Sequence, residues 1–148
     1  MKQGDPKLQK LALRLFEYEA KKSGNPDEPV KTIEVCCQRL HDRLDRVIGA
    51  GGFRALLNRA LYLAKKRYAW LEGVEIEDYP GCEFKELREA VKGKKPAIVN
   101  EACGLMLANI IWLLVTFIGE DIAFGLIQEA WPDVSIAASS TKEATFDE

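Results

Sequence analysis

The sequence has a single histidine, His41, and its four cysteines include no CxxC pair. Because clustered cysteines and histidines are the usual ligands of structural metal sites, the sequence predicts neither a metal ion nor another cofactor. Cys36 and Cys37 are adjacent, which is a poor start for a disulfide framework and favours a reducing, cytoplasmic environment. The first ten residues lack the apolar run of a secretory signal, so we do not expect export.

Catalytic motifs are also lacking. The glycine-rich run 49–52 precedes a predicted helix but matches neither phosphate-loop pattern, so it is interpreted as a helix end and turn. Cys37 and His41 lie one helical turn apart and would share a helix face, but Cys37 belongs to an apolar stripe. We interpret this pair as a buried thiol beside a half-exposed histidine. No two carboxylates are placed as acid and base, so the sequence supports no enzyme class and no catalytic residue.

The composition is that of a folded globular chain, with 47% hydrophobic and 30% charged residues in 148. That length suits one domain. The net charge of -2 is divided unevenly: residues 1–94 carry 19 Lys and Arg against 15 Asp and Glu (+4), and residues 95–148 carry 2 against 8 (-6). We expect the two parts to attract each other. The imbalance is too small to predict a wholly nucleic-acid-binding domain.

Apolar residues recur with helical spacing along most of the chain. This pattern predicts six helices at about residues 6–22, 29–48, 53–70, 83–91, 96–118 and 121–131. Asp5 is the expected N-cap of the first helix, and the glycines at 49–52 are expected to fold the second and third helices into a hairpin. Residues 71–82 are predicted to form a loop with at most one short strand. Residues 1–132 are predicted to form one helical domain, and residues 133–148 a mobile acidic tail.

The segment 102–119 contains no charged residue and is apolar all round, as in a membrane span or the central helix of a bundle. Asn109 and Thr116 interrupt it, and the other amphipathic helices need an apolar surface to pack against. We therefore predict an all-α fold, a single bundle of five to six helices around residues 96–118. A membrane is not an expected partner.

A basic and aromatic segment lies between residues 53 and 71, where no acidic residue occurs. The predicted interaction surface comprises Arg54, Arg59, Tyr62, Lys66 and Trp70, together with Trp131 near the end of the last helix. Interleaved basic and aromatic residues are typical of nucleic-acid surfaces, but an acidic run follows at once and would screen them. Nucleic acid is therefore a possible partner that is not favoured, and a protein partner or self-association is predicted.

Residues 113–133, LLVTFIGEDIAFGLIQEAWPD, resemble the end of small, uncharacterised, all-helical bacterial proteins, some of them signalling or regulatory chains. The resemblance covers 21 of the 148 residues. It implies a bacterial source and a regulatory role, and it brings no catalytic residue or ligand.

The function predicted from these observations is a non-enzymatic regulatory or protein-interaction module. Two alternatives stay open. One is a small-ligand-binding or enzymatic helical protein with a pocket beside the central helix, where Cys103, Asn109 and Thr116 would supply the polar contacts. The other is a regulator anchored in a membrane by the apolar helix.

Overall fold

The computed structural model of the chain describes residues 4–23, 27–76 and 84–136. The helices are α1 (Pro6–Ser23), α2 (Pro29–Lys65), α3 (Lys85–Ala90), α4 (Pro96–Ile118) and α5 (Glu120–Ala130), with a 3-10 helix at Ala69–Leu71. These described ranges contain no strand, and the predicted all-α class is confirmed. The predicted strand is absent up to residue 76, and residues 77–83 lie outside the described residues.

The first helix begins as its sequence predicts. The backbone N–H of Lys7 donates to the Asp5 carboxylate at 2.8 Å, and Pro6 occupies the first helical position. The helix turns one apolar face inward, and its buried apolar residues are Leu8, Leu11, Ala12, Leu15 and Phe16. Their spacing of three and four residues is that of a helix packed on a core along one side.

Helix α2 is broken at Gly49, whose φ of 75° and ψ of 168° are not helical. The break separates an N-terminal arm (residues 29–48) from a C-terminal arm (residues 50–65). The rings of His41 and Phe53 lie 5.3 Å apart, although an unbroken helix would separate them by about 18 Å along its axis. The chain therefore changes direction sharply at Gly49.

The two arms form the predicted hairpin, because both ends of α2 lie near the start of α4. Val30 in the first turn of α2 lines one cleft with Val99. At the other end, Tyr68 donates a hydrogen bond to Glu101 at 2.6 Å. The C-terminal arm ends at Lys65, short of the predicted residue 70, because Tyr68 has an extended backbone (φ -121°, ψ 96°) and the 3-10 helix follows.

Helix α4 is the centre of the bundle, and its bounds are those predicted. It packs against α1, α2 and α5, which cover it on several sides. By length and composition alone α4 is able to cross a membrane, but 61% of its most apolar window is buried inside the fold. Gly119, with a φ of 90°, ends α4 and allows α5 to fold back against it.

The packed domain extends beyond its predicted end at residue 132. Val134 and Ile136 are buried, and the Gln128 side chain holds this segment in place. Its amide donates to the Val134 carbonyl at 2.7 Å and accepts from the Ile136 N–H at 3.0 Å. The predicted boundary is wrong by at least four residues, and residues 137–148 of the predicted tail lie outside the described residues.

Candidate functional site

An exposed stripe on the C-terminal arm of α2 carries the central residues of the predicted interaction surface. This basic stripe consists of Ala55, Asn58, Arg59, Tyr62 and Lys66, all of which are exposed. Spacings of three and four residues place their side chains on one face of the helix. The opposite face, which includes Leu57, Ala60, Leu61 and Ala64, is buried in the core.

Tyr62 stands between the two cations of the basic stripe. Its ring centre lies 5.1 Å from the Arg59 guanidinium carbon and 5.0 Å from Lys66 Nζ, within the range of cation–π contacts. Its side chain is nevertheless 49% exposed. Neither Arg59 nor Lys66 makes an ion pair with any carboxylate in the described part of the chain. The stripe therefore presents an aromatic ring flanked by two uncompensated positive charges.

The structure separates Arg54 and Trp70 from this stripe. Arg54 is half-buried on another side of the helix and is engaged in a contact of its own. Trp70 lies in the 3-10 helix, where its ring is 6.0 Å from that of Tyr68 and 5.8 Å from Lys94 Nζ. Of the predicted surface on this segment, Arg59, Tyr62 and Lys66 are the residues that come together.

The prediction that Trp131 contacts a partner is wrong, because its side chain is fully buried. Its indole N–H donates to the Glu19 carboxylate at 2.9 Å, and the same oxygen accepts from Arg39 Nε at 2.6 Å. Arg39 also donates to the Ala130 carbonyl at 3.0 Å. These bonds join α1, α2 and the end of α5, so Trp131 has a structural role in this fold.

A cleft of about 300 Å³ lies beside α4, where the ligand-binding alternative predicts a pocket, and Asp5, Arg67 and Trp112 contribute to its walls. Asn109 also lines it, but its amide donates to the Ala60 carbonyl at 3.2 Å and so holds α4 against α2. The cleft thus contains one of the three predicted ligand-binding residues, and that residue is already hydrogen-bonded within the fold.

The other two predicted pocket residues lie elsewhere. Thr116 does not line this cleft; it is exposed and its hydroxyl donates to the Trp112 carbonyl at 2.8 Å. Cys103 is buried in the core, where burial first and the charge of Glu34 second raise the pKa of its thiol to about 12. A thiol with a raised pKa is protonated at neutral pH and is a poor nucleophile.

The pair Cys37 and His41 lies on α2 as its spacing predicts. Cys37 is fully buried, and His41 is partly exposed, with its ring edge against Phe53. The Nδ1 atom of His41 is buried without a hydrogen-bond partner and lies 3.7 Å from the Asp42 carboxylate. Among the described residues, no three His, Cys, Asp or Glu side chains are grouped to hold a metal ion.

Sequence reasoning missed a second exposed stripe, which lies on α5. This acidic stripe consists of Asp121, Ile122, Gly125 and Glu129, all exposed. Ile122 is 57% exposed, and a Cβ added at Gly125 would meet no atom within 4 Å. The sequence carries the signal for this stripe, because Asp121, Gly125 and Glu129 are spaced four residues apart and so lie on one side of the helix.

Comparisons with protein-family models, curated proteins and solved structures give no match to this chain. The resemblance of residues 113–133 to small bacterial proteins therefore stays an expectation. In the structure this segment comprises the end of α4, the Gly119 turn and α5.

Proposed function

We propose that this chain is a non-enzymatic, cytoplasmic protein-interaction module with a regulatory role, which binds an acidic protein surface through the basic stripe. The observation that carries the proposal is the Tyr62 ring, half exposed between Arg59 and Lys66. Tyrosine and arginine are, with tryptophan, the residue types enriched among the residues that dominate binding at protein interfaces. Both cations lack a carboxylate partner among the described residues, so an acidic partner would supply the missing counter-charge.

A protein partner fits this stripe better than a nucleic acid. Proteins that bind a duplex typically neutralise about six to ten phosphates. The stripe carries two cations, seven residues apart on the helix, and the whole chain has a net charge of -2. A short acidic surface on a protein matches that charge, whereas a nucleic-acid strand would run beyond it.

The two alternative functions have less support. A ligand in the cleft beside α4 would have to compete with the Ala60 carbonyl for the Asn109 amide. A membrane span would require α4 to leave the core, which would expose the buried faces of the helices that surround it.

The proposal is tested by fluorescence anisotropy with two labelled probes, an amphipathic helical peptide of Glu, Ala and Leu and a single-stranded oligonucleotide of the same net charge. We expect the wild-type chain to bind the peptide more tightly than the oligonucleotide. Tyr62→Ala and the double variant Arg59→Glu/Lys66→Glu should each weaken peptide binding by about tenfold or more.

The matched control is Lys10→Glu, which changes an exposed residue of α1 outside the stripe and should bind as the wild type does. Equal binding by the wild-type and stripe variants would contradict the proposal. Tighter binding to the oligonucleotide would contradict the choice of a protein partner.

A further inference from the structure

We infer that the acidic partner of the basic stripe is the acidic stripe on α5 of a second copy of this chain. This inference rests on the proposed function, since it names the partner for the same surface. It is a head-to-tail contact, in which α2 of one copy packs against α5 of the next.

The two stripes carry opposite charges, and these charges form no ion pairs with described residues of the same chain. Asp121 and Glu129 make no ion pair with any described residue, as is also true of Arg59 and Lys66. The pairs seen between described residues, Arg39–Glu19, Arg88–Glu34, Lys92–Glu89 and His41–Asp42, lie within residues 1–94. The attraction expected between the basic and acidic parts of the chain is therefore not satisfied by these internal pairs.

The spacings of the two stripes also match. Arg59 and Lys66 are seven residues apart, or about 10 Å along the helix, and Asp121 and Glu129 are eight apart, or about 12 Å. When the two helices lie antiparallel, Arg59 faces Glu129 and Lys66 faces Asp121.

The middle of the basic stripe and the middle of the acidic stripe are complementary in shape. Tyr62 projects between the two cations, and Gly125 lies between the two carboxylates with open space above it. Because Gly125 has no side chain, it leaves room for an aromatic ring from the facing helix. Ile122, which is 57% exposed, provides apolar surface for the ring beside that gap.

The contact requires two molecules. In one chain α5 packs against α4 and α2, and Arg39 of the N-terminal arm holds its last turn. Both stripes are exposed, and among the described residues no ion pair joins them within one chain. Because the contact joins two different surfaces, repeated association generates closed rings or open chains.

The surface area buried between the two helices indicates how strong the self-association should be. A contact of this length buries less than the roughly 1,200 Å² typical of stable complexes, so the association is weak and reversible. The exposed charges make it sensitive to salt, because the Debye length falls from about 10 Å at 0.1 M to about 3 Å at 1 M.

Charge reversal of each stripe gives a sharp test by sedimentation velocity over concentrations up to about 1 mM, where weak complexes form. The acidified variant is Arg59→Glu/Lys66→Glu, and the basified variant is Asp121→Lys/Glu129→Lys. We expect the wild-type weight-average mass to rise with concentration in low salt and to fall back in high salt. Each variant alone should remain monomeric, because its two stripes carry the same charge.

An equal mixture of the two variants should associate, because each stripe then meets an oppositely charged stripe on the other variant. Circular dichroism of each variant checks that the helices remain folded. Reversal of charge on α1, with Lys10→Glu/Glu17→Lys, changes two exposed residues outside both stripes and should leave the wild-type association intact.

The failures of the two proposals are distinguishable. A wild-type chain that stays monomeric but binds the acidic peptide overturns self-association and leaves the proposed function standing. A chain that neither associates nor binds the peptide overturns both. Association that persists in both reversed variants, or a mixture that stays monomeric, also overturns this inference.

Discussion

The fold changes the acidity of the Tyr68 hydroxyl. Its side chain is buried and its hydroxyl donates to Glu101 at 2.6 Å. Burial raises the pKa of Tyr68 from 10 to about 12, and the hydrogen bond to Glu101 and the negative charge of that carboxylate act in the same direction. The nearby Arg67 guanidinium opposes these effects. The folded chain therefore holds this phenolic proton more tightly than the unfolded chain does.

A pH titration should reveal that difference. Between pH 10 and pH 12 the unfolded chain releases the Tyr68 proton first, so the free energy of unfolding should fall as pH rises, by roughly 2 kcal/mol from this residue. Tyr68→Phe should reduce that dependence and remove one phenolate transition near pH 12 from the ultraviolet absorbance. The same chain in concentrated urea is the control, where the transition should return to its ordinary range. A phenolate transition near pH 12 that survives Tyr68→Phe would assign it to another tyrosine.

Hydrophobic periodicity predicted the helices better than it predicted which side chains are exposed to solvent. Trp131 follows the last turn of an amphipathic helix, and nothing in its local sequence shows that Glu19, more than a hundred residues away, accepts its N–H. Thr116 lies in a helix that is apolar all round, so its sequence indicates no preferred face. Tyr62, Arg59 and Lys66 were predicted correctly as surface residues, because their spacing sets them opposite the apolar stripe.

At the scale of elements, the hairpin in α2 depends on one backbone conformation. Gly49 has a φ of 75° and a ψ of 168°, a region that is essentially restricted to glycine and that other residues occupy only at a cost of about 1–3 kcal/mol. Gly49→Ala should therefore destabilise the fold by about that amount in urea denaturation. Gly51 is the matched control, since it is helical, exposed and has open space at its Cβ position. Gly51→Ala should stabilise the chain by about 0.5–1 kcal/mol. Equal effects of the two substitutions would show that the turn does not require glycine.

The helix ends show where local sequence signals are sufficient to predict a boundary. Helix α4 begins at Pro96 and ends before Gly119, both strong local signals, and its predicted bounds agree with the structure. The C-terminal arm of α2 has no such signal at its end, because the basic residues after Lys65 are all good helix formers. The helix ends there because Tyr68 turns inward to Glu101, a contact with α4 that the local sequence does not reveal.

At the scale of the whole molecule, polar side chains join helices that are far apart in sequence. Glu34 is buried and accepts a hydrogen bond from the Phe84 N–H at 2.8 Å, and it also pairs with Arg88. Together with the bonds of Glu19, this contact shows that buried carboxylates connect α1, α2, α3 and α5 around α4. Hydrophobic periodicity predicted the bundle and its central helix, but it carries no information about these pairs.

The C-terminal boundary of the packed domain can be tested by substitution. The sequence predicted a tail from residue 133, whereas in the structure the core continues to Ile136. Ile136 is fully buried, and its N–H donates to Gln128 at 3.0 Å. Ile136→Ala should lower the free energy of unfolding by about 2 kcal/mol or more, because truncating a buried isoleucine removes its apolar contacts and leaves a cavity. Ser135→Ala is the control, since Ser135 is exposed and its side chain lies outside the core. Urea denaturation of the two variants distinguishes the boundaries: if residues 133–136 were a tail, both substitutions would leave stability unchanged.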